Sequence, residues 1–467
     1  MSYGLNRLST RTKLIAGALA LIIAGVSHAG SATLVGGGAT LPSIGYVGPN
    51  AATLTQVTGT NIASNSLFGV ALPDASYCLT GSGAGKNILA GIANNNVQNL
   101  CPTDSTGTLH GFGAPAVSRT DLVQPNFAGA DAPMSATDYS NYKSIHTAST
   151  ANPTEFPAVA GAVAVPFNLV DSLHNTVTSS EVNFTSAQLC LIFSGQVSNW
   201  SDSRLASAFS LTDGGSIVSA PINVQFRSDG SGTTFSFSNH LAAACNTTTN
   251  PLETSQNFFS TTATPYVVQN FFSAGVPSGD GTTTPKWTGS SGNPAVANAV
   301  KNTPNSIGYV ETANALATAP NLQFADVDSK SPINDFNSAL TLSALSVATN
   351  NVISSTNAAN GTPQLSPISG ATGSCIKLVK PANYALANNN AGNINPAGNY
   401  PIVAVSYLLG NTSGNNGDLA NTRTLLNAPY DTTVQSKVKT IGAGTGLQFL
   451  NVSSAFSVTA AGTCLAN

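Results

Sequence analysis

The nine residues Phe226-Arg227-Ser228-Asp229-Gly230-Ser231-Gly232-Thr233-Thr234 bring together a guanidinium, a carboxylate, two glycines and four hydroxyls. A mostly apolar run, Val218 to Phe226, precedes them, and a helix-compatible stretch, Phe235 to Cys245, follows. The pattern predicts a strand that passes through a glycine turn into a helix N-terminus. The first backbone N–H groups of such a helix have no internal partner and sit at the positive end of its dipole, so they favour an anion. Gly230 and Gly232 let the backbone approach closely, Ser231 and Thr233 add hydroxyl donors, and Arg227 offers a planar cationic fork suited to phosphate. An ordinary capped helix can carry so short a string, so the reading needs partners elsewhere in the chain.

Three further strings supply candidates. Val35-Gly36-Gly37-Gly38-Ala39-Thr40-Leu41-Pro42 runs from an apolar piece through three glycines to a proline of the kind found in first helical turns. Tyr77-Cys78-Leu79-Thr80-Gly81-Ser82-Gly83-Ala84-Gly85-Lys86 leads into Ile88, Leu89 and Ile92, one helical face. Its Gly-Lys pair invites a nucleotide P-loop, but Thr80 stands where the first glycine belongs and Asn87 where Ser or Thr belongs, so that motif fails. Phe127 to Met134 ends a strand-like segment on Asp131, and Ser135 with Asp138 has capping-box spacing for the next helix.

These turns need a scaffold. Val159 to Asn168 suits a buried strand or crossover. Thr185 to Trp200 gives a helical face with a Gly195 stop, and Asn305 to Val310 a short strand after a turn. Segments 246–300, 326–370 and 385–425 are rich in Asn, Thr, Ser and Gly and read as long surface loops with some short elements. Strands alternating with helical patterns point to an α/β fold with mostly parallel sheets. Ligands in such folds sit beyond the carboxyl ends of strands, where the turns at 36–42, 79–86 and 226–234 would meet.

The N-terminus sets the compartment. Arg7, Arg11 and Lys13 precede the apolar run Leu14 to Val26, and Ser27-His28-Ala29 follows, the pattern of a secretory signal peptide over 1–29. No later stretch offers roughly 18 uninterrupted apolar residues, so a membrane-embedded chain is not expected. Without the three basic residues of the leader, 13 basic stand against 19 acidic, net −6. That balance disfavours nucleic acid or an anionic membrane as partner and makes any anion site local. Only 7% of residues are charged while 42% are hydrophobic, which allows a substantial core; 438 mature residues suggest two lobes. Six cysteines in an exported chain argue for disulfides, with fifteen connectivities open and pairing of neighbours in order favoured. No CxxC pair or ligand-spaced histidine suggests a metal, and no cofactor motif stands out.

Taken together, GGGATLP at 36–42, YCLTGSGAGK at 77–86, AGADAPMS at 128–135, VPFN at 165–168, LCLIFSGQVSNW at 189–200, FRSDGSGTT at 226–234 and SIGYVE at 306–311 resemble, in order, the periplasmic phosphate-binding proteins of Pst ABC transporters (PstS-like), and among them the secreted DING-type proteins. The resemblance spans residues 36–311 and is slight beyond about 312. It implies a two-lobed periplasmic-binding-protein (Venus flytrap) α/β fold, type II-like, with lobes joined by two crossing strands. Residues 30–164 and 306–467 would form one lobe and 165–305 the other. The family's phosphate contacts fall on Thr40, Leu41, Ser82, Asp131, Arg227, Ser231, Gly232 and Thr233, with Asp229 orienting Arg227. Leu41 replaces an aromatic found there in some members and would act through its backbone. The family's disulfides correspond to Cys190–Cys245 and Cys375–Cys464, in agreement with sequential pairing, whose third pair, Cys78–Cys101, is a departure from the family and this chain's own. It further implies a monomer in the periplasm or secreted, inorganic phosphate as ligand, a Pst-type permease as partner and no enzymatic activity.

Phosphate near neutral pH carries a P–OH and sulfate does not. Donors cannot tell the two apart, whereas an ionised Asp131 accepts from P–OH and repels sulfate. The runner-up reading is a DING-type alkaline phosphatase-like hydrolase of phosphate esters. A GxSxG elbow is missing, and His240 lies nine residues after Ser231, too far along a helix to serve it as a base. A secreted surface protein with a degenerate pocket is a third class.

Overall fold

The computed structural model describes residues 33–92, 97–101, 111–245, 287–337, 340–357, 361–369, 375–452 and 464–467; the predicted leader 1–29 and the stretch 246–286 lie outside them. One strand, Pro153–Asn168, organises the rest. Its Val/Ala/Phe-rich sequence is buried at fifteen of sixteen positions, as expected of a strand covered on both faces. Pro157, which has no N–H to give a ladder, sits where pairing with the strand Val403–Asn411 slips by one residue.

This long strand belongs to both halves of the molecule. Up to Ala162 it pairs with Val403–Asn411, which in turn pairs with Phe127–Ala130. From Val163 onward it pairs with Val310–Glu311, Gln323–Val327 and Ser306–Gly308. The sheet order therefore runs from Gln56–Val57, Ser76–Leu79, Val35–Gly38 and Phe127–Ala130 through Val403–Asn411 and the long strand to Ser306–Gly308, Asn223–Arg227 and Trp287–Ser290. The two wings are the lobes of a mixed α/β periplasmic-binding-protein fold. The chain crosses between them along the long strand and again through residues 306–311.

Within each wing the strands that feed helices are parallel. Val35–Gly38 lies between Ser76–Leu79 and Phe127–Ala130, and Asn223–Arg227 between Trp287–Ser290 and Ser306–Gly308. The sheet as a whole is mixed, contrary to the mostly parallel expectation, because the long strand runs antiparallel to each strand it pairs with in the sheet. The stretch 385–425 was also misjudged as loop. It contains Val403–Asn411, a fully buried nine-residue strand at the centre of the sheet, whose apolar run was masked by its Asn- and Gly-rich flanks. Elsewhere those segments do form short hairpins, Asn351–Thr356 with Pro363–Pro367 among them.

Aromatic packing holds the turns from behind. In one wing Tyr46, Phe68, Tyr77 and Phe127 form a buried cluster with ring centroids 5.2–6.3 Å apart. In the other, Phe237 stacks on Tyr309 at 4.6 Å and meets Phe193 edge-on at 4.8 Å. The cysteines pair as Cys78–Cys101, Cys190–Cys245 and Cys375–Cys464, with Cα–Cα distances of 5.7, 6.0 and 5.5 Å. No helix among the described residues is long and apolar enough to cross a membrane.

Candidate functional site

Thr40, Ser82 and Asp131 each follow the carboxyl end of one of the three parallel strands of the first wing. Arg227 ends a strand of the second wing, and Ser231 to Thr233 open the fourteen-residue helix Gly232–Cys245. All eight predicted contact residues are buried, none more than 4% exposed where polar. The wings touch here: Gly83 N–H donates to Gly230 O at 2.9 Å, joining the start of helix Ser82–Ala90 to the Arg227 turn. Gly232 is required by this approach, because a Cβ there would collide with the Asp131 backbone and Cβ. At Gly38 the backbone turns with φ of +131°, and a Cβ would meet Gly129 O. Leu41 turns its side chain into the core beside Gly161, leaving only its backbone toward Asp131.

Asp131 is held from one side. Its N–H donates to Ser82 Oγ at 2.9 Å, and Ser82 Oγ lies 3.2 Å from its Oδ2. Its Oδ1 is buried with no hydrogen-bond partner among the described residues. Burial pushes its pKa up to about 7, against the opposing pull of the Ser406 hydroxyl, the Arg227 charge, Ser82 and the Leu41 N–H. Ser406 and Leu41 face the carboxylate closely enough to favour its charge, without completing a hydrogen bond to Oδ1.

Arg227 is locked by Asp229. Nε donates to Asp229 Oδ1 at 2.7 Å and Nη2 to Oδ2, so the guanidinium spends one edge of its fork on this pair. Nη1 donates to Thr233 Oγ1 at 3.2 Å. Asp229 Oδ1 also accepts the Gly292 N–H at 3.0 Å, tying the pair to the next helix. Burial opposes the Arg227 charge, but Asp229 outweighs it and the pKa stays above the ordinary arginine value. Behind the turn, Tyr309 Oη accepts the Arg227 N–H at 3.2 Å and shares a 2.7 Å hydrogen bond with Thr234 Oγ1.

Two residues that the structure brings to the candidate site escaped the sequence reading. Asn293, at the start of helix Gly292–Asn302, donates through Nδ2 to Thr40 Oγ1 at 3.1 Å and to Thr233 Oγ1 at 3.2 Å, bridging the wings. Ser406, on the central strand Val403–Asn411, sits beside Asp131; a lone hydroxyl in the run VAVSYLL was its one signal. Asn314 secures the first turn, its Nδ2 donating to Thr40 O at 2.8 Å and Leu41 O at 2.9 Å. Lys86, the lysine of the P-loop-like string, is buried in an ion pair with Asp138 at 2.6 Å. His240 lies away from Ser231: its Nε2 is 2.9 Å from Ser186 Oγ and its Nδ1 2.9 Å from Ala385 O. Ser231 Oγ instead accepts the Thr234 N–H at 3.0 Å.

Such a chamber, with backbone donors, hydroxyls, one compensated cation and one orphaned carboxylate oxygen, suits a small oxyanion that carries a proton. Comparison with known proteins gives three findings. Residues 51–422 match the family model described as a PBP superfamily domain. The chain is 30% identical over 293 residues to alkaline phosphatase L of Pseudomonas aeruginosa, covering 63% of this chain and 60% of that protein, and 32% identical over 162 residues to the phosphate-binding protein PstS of Xylella fastidiosa, covering 35% and 36%. It thus spans 60% of the first of these relatives and about a third of the second. In three dimensions it resembles a high-affinity periplasmic phosphate-binding protein (PfluDING) solved with phosphate bound, at TM-score 0.52, 21% identity and 92% coverage of both chains, a likeness of fold.

Proposed function

This chain belongs to the PBP superfamily, and from that premise we propose that it is an exported solute-binding protein that captures inorganic phosphate between its two lobes. The lobes in this reading are residues 30–164 with 306–467, and 165–305. Phosphate is held by the backbone at Thr40, Leu41 and Gly232, by the hydroxyls of Ser82, Ser231 and Thr233, and by Arg227 Nη1, with Asp229 fixing Arg227. The names of its relatives, PstS and PfluDING, support the ligand class.

One observation carries the reading: Asp131 Oδ1 is fully buried, unpartnered and close enough to Arg227 to feel its charge. An unsatisfied buried carboxylate oxygen is costly and needs a donor. The P–OH of hydrogen phosphate is such a donor, and sulfate has none. Asp131 is therefore the group that selects phosphate. The protein acts in the periplasm or outside the cell and hands phosphate to a Pst-type permease.

We assign binding rather than ester hydrolysis, although three relatives from Pseudomonas aeruginosa bear the name alkaline phosphatase L. A serine nucleophile needs a base, and His240 is engaged with Ser186 and Ala385 rather than Ser231. Thermal unfolding with phosphate and with sulfate tests the proposal. Phosphate at about 100 times its dissociation constant should stabilise the fold by about 2.7 kcal/mol. Equal stabilisation by sulfate, or none by phosphate, would remove the reading.

A further inference from the structure

Beside the buried anion chamber lies a cavity of about 540 Å³, open to solvent and walled by both lobes. That is within the range of roughly 300–1,000 Å³ typical of small-molecule pockets and far more than a free phosphate needs. Thr40, Gly81, Asp229 and Gly292 form its inner wall and are the same residues that back onto the chamber. That wall is thin. Gly81 and Gly292 present no side chain, and a Cβ built on Gly292 meets nothing nearer than Pro294 Cδ at 3.7 Å and Thr40 Cγ2 at 3.8 Å.

The chemistry of the remaining walls is neutral. Thr53, Thr55 and Ser291 offer hydroxyls, while Leu54, Leu79 and Pro294 offer apolar surface, with Leu54 37% exposed. Among the described residues, Asp229 is the one charged residue lining the cavity, and both of its oxygens are already engaged, by Arg227 and the Gly292 N–H. The cavity therefore offers nothing to a second anion and nothing to a free cation. It offers a wall of mixed apolar and hydroxyl character beside Thr40 and Asp229.

We propose that this cavity is a subsite for the uncharged organic group of a phosphate monoester whose phosphate occupies the chamber, so that the protein binds esters of neutral alcohols as well as inorganic phosphate. The inference rests on the phosphate reading above. The ester substituent leaves the phosphate between Thr40 and Gly292 and packs on Leu54 and Pro294. Asp131, on the far side, meets the remaining P–OH of the monoester below about pH 6, where the ester still carries that proton.

Calorimetry at about pH 5.5, where phenyl phosphate keeps a P–OH, with inorganic phosphate and phenyl phosphate on wild type, Leu54→Ala and Ala295→Trp, tests it. Leu54 and Ala295 are only partly buried, so both variants should fold. Wild type is expected to bind both ligands. Leu54→Ala should weaken phenyl phosphate about tenfold through lost apolar contact, and Ala295→Trp, which fills the cavity, at least as much. Both should leave inorganic phosphate within about twofold of wild type, well below the tenfold that 1.4 kcal/mol represents. Wild type that binds inorganic phosphate but rejects phenyl phosphate overturns the subsite alone, as does an equal loss of both ligands in the variants. Failure of both ligands on wild type overturns the phosphate reading and the subsite with it.

Discussion

Ser82 and Asp131 are joined twice: the Asp131 N–H donates to Ser82 Oγ at 2.9 Å, and the same hydroxyl lies 3.2 Å from Asp131 Oδ2. The serine thereby fixes the carboxylate plane and leaves Oδ1 as the free acceptor. Replacing Asp131 by Asn puts an amide in that plane. Asp131→Asn should lower the phosphate-over-sulfate preference by tenfold or more, the scale of about 1–3 kcal/mol for an unmet buried polar group. Competition titrations with the two anions measure it, and an unchanged ratio would take Asp131 out of the selection.

Arg227→Ala should cost at least about 2 kcal/mol of phosphate affinity, the worth of a charge-assisted hydrogen bond. The variant also strands Asp229, whose carboxylate is 4% exposed and otherwise paired, so the ligand-free protein should melt lower as well. Calorimetry on folded variant separates the two effects. Wild-type affinity in the variant would contradict the role given to Arg227.

Asn293→Ala removes the side chain that holds Thr40 and Thr233 together across the lobes. Phosphate affinity should fall roughly tenfold, as for one or two lost hydrogen bonds, with the loss in the dissociation rate. Stopped-flow release of phosphate reads this directly. Unaltered release would mean the lobes close without the bridge.

Stability should fall as pH rises from about 6.5 to 8 in the ligand-free protein. Burial raises three carboxyls: Asp131 to about 7, and Glu155 and Glu311 to about 8 each. Groups raised in this way hold protons in the folded state that the unfolded chain has already released, so each contributes stability that is fully present below its unfolded value near 4 and is lost progressively until pH has risen through its folded value. The loss is up to about 1.4 kcal/mol per pH unit for each carboxyl. The histidines lowered by burial, His146 and His240, add a smaller opposing rise that is spent by about pH 7.5, where they are neutral in both states. Glu155→Gln keeps the acceptor for the Met134 N–H and should flatten the slope. A melting temperature that rises over this window would refute the assignment.

The meeting of the glycine turns was legible because its parts are backbone demands. Glycines at 38, 81 and 232 and hydroxyls next to them are what a chain needs to bring helix starts against one point, and such needs leave short, fixed strings. Asn293 was not legible, because its role depends on a lobe-to-lobe approach that no local spacing encodes. Ser406 was hidden for a related reason. It acts from a strand 275 residues downstream of Asp131, and strand neighbours far apart in sequence are set by the whole sheet. The direction of the long strand 153–168 was equally silent, since an apolar run reads the same whether its neighbours run with it or against it. Lys86 shows the reverse case, a suggestive residue whose charge is consumed by Asp138.

The Arg227–Asp229 pair has a consequence for capture rates. Because the guanidinium enters its pocket already neutralised, the lobes carry no net positive beacon into solution, and the chain as a whole is acidic. Long-range attraction then contributes little, so encounter with a dianion should proceed at much the same speed in dilute buffer and in brine.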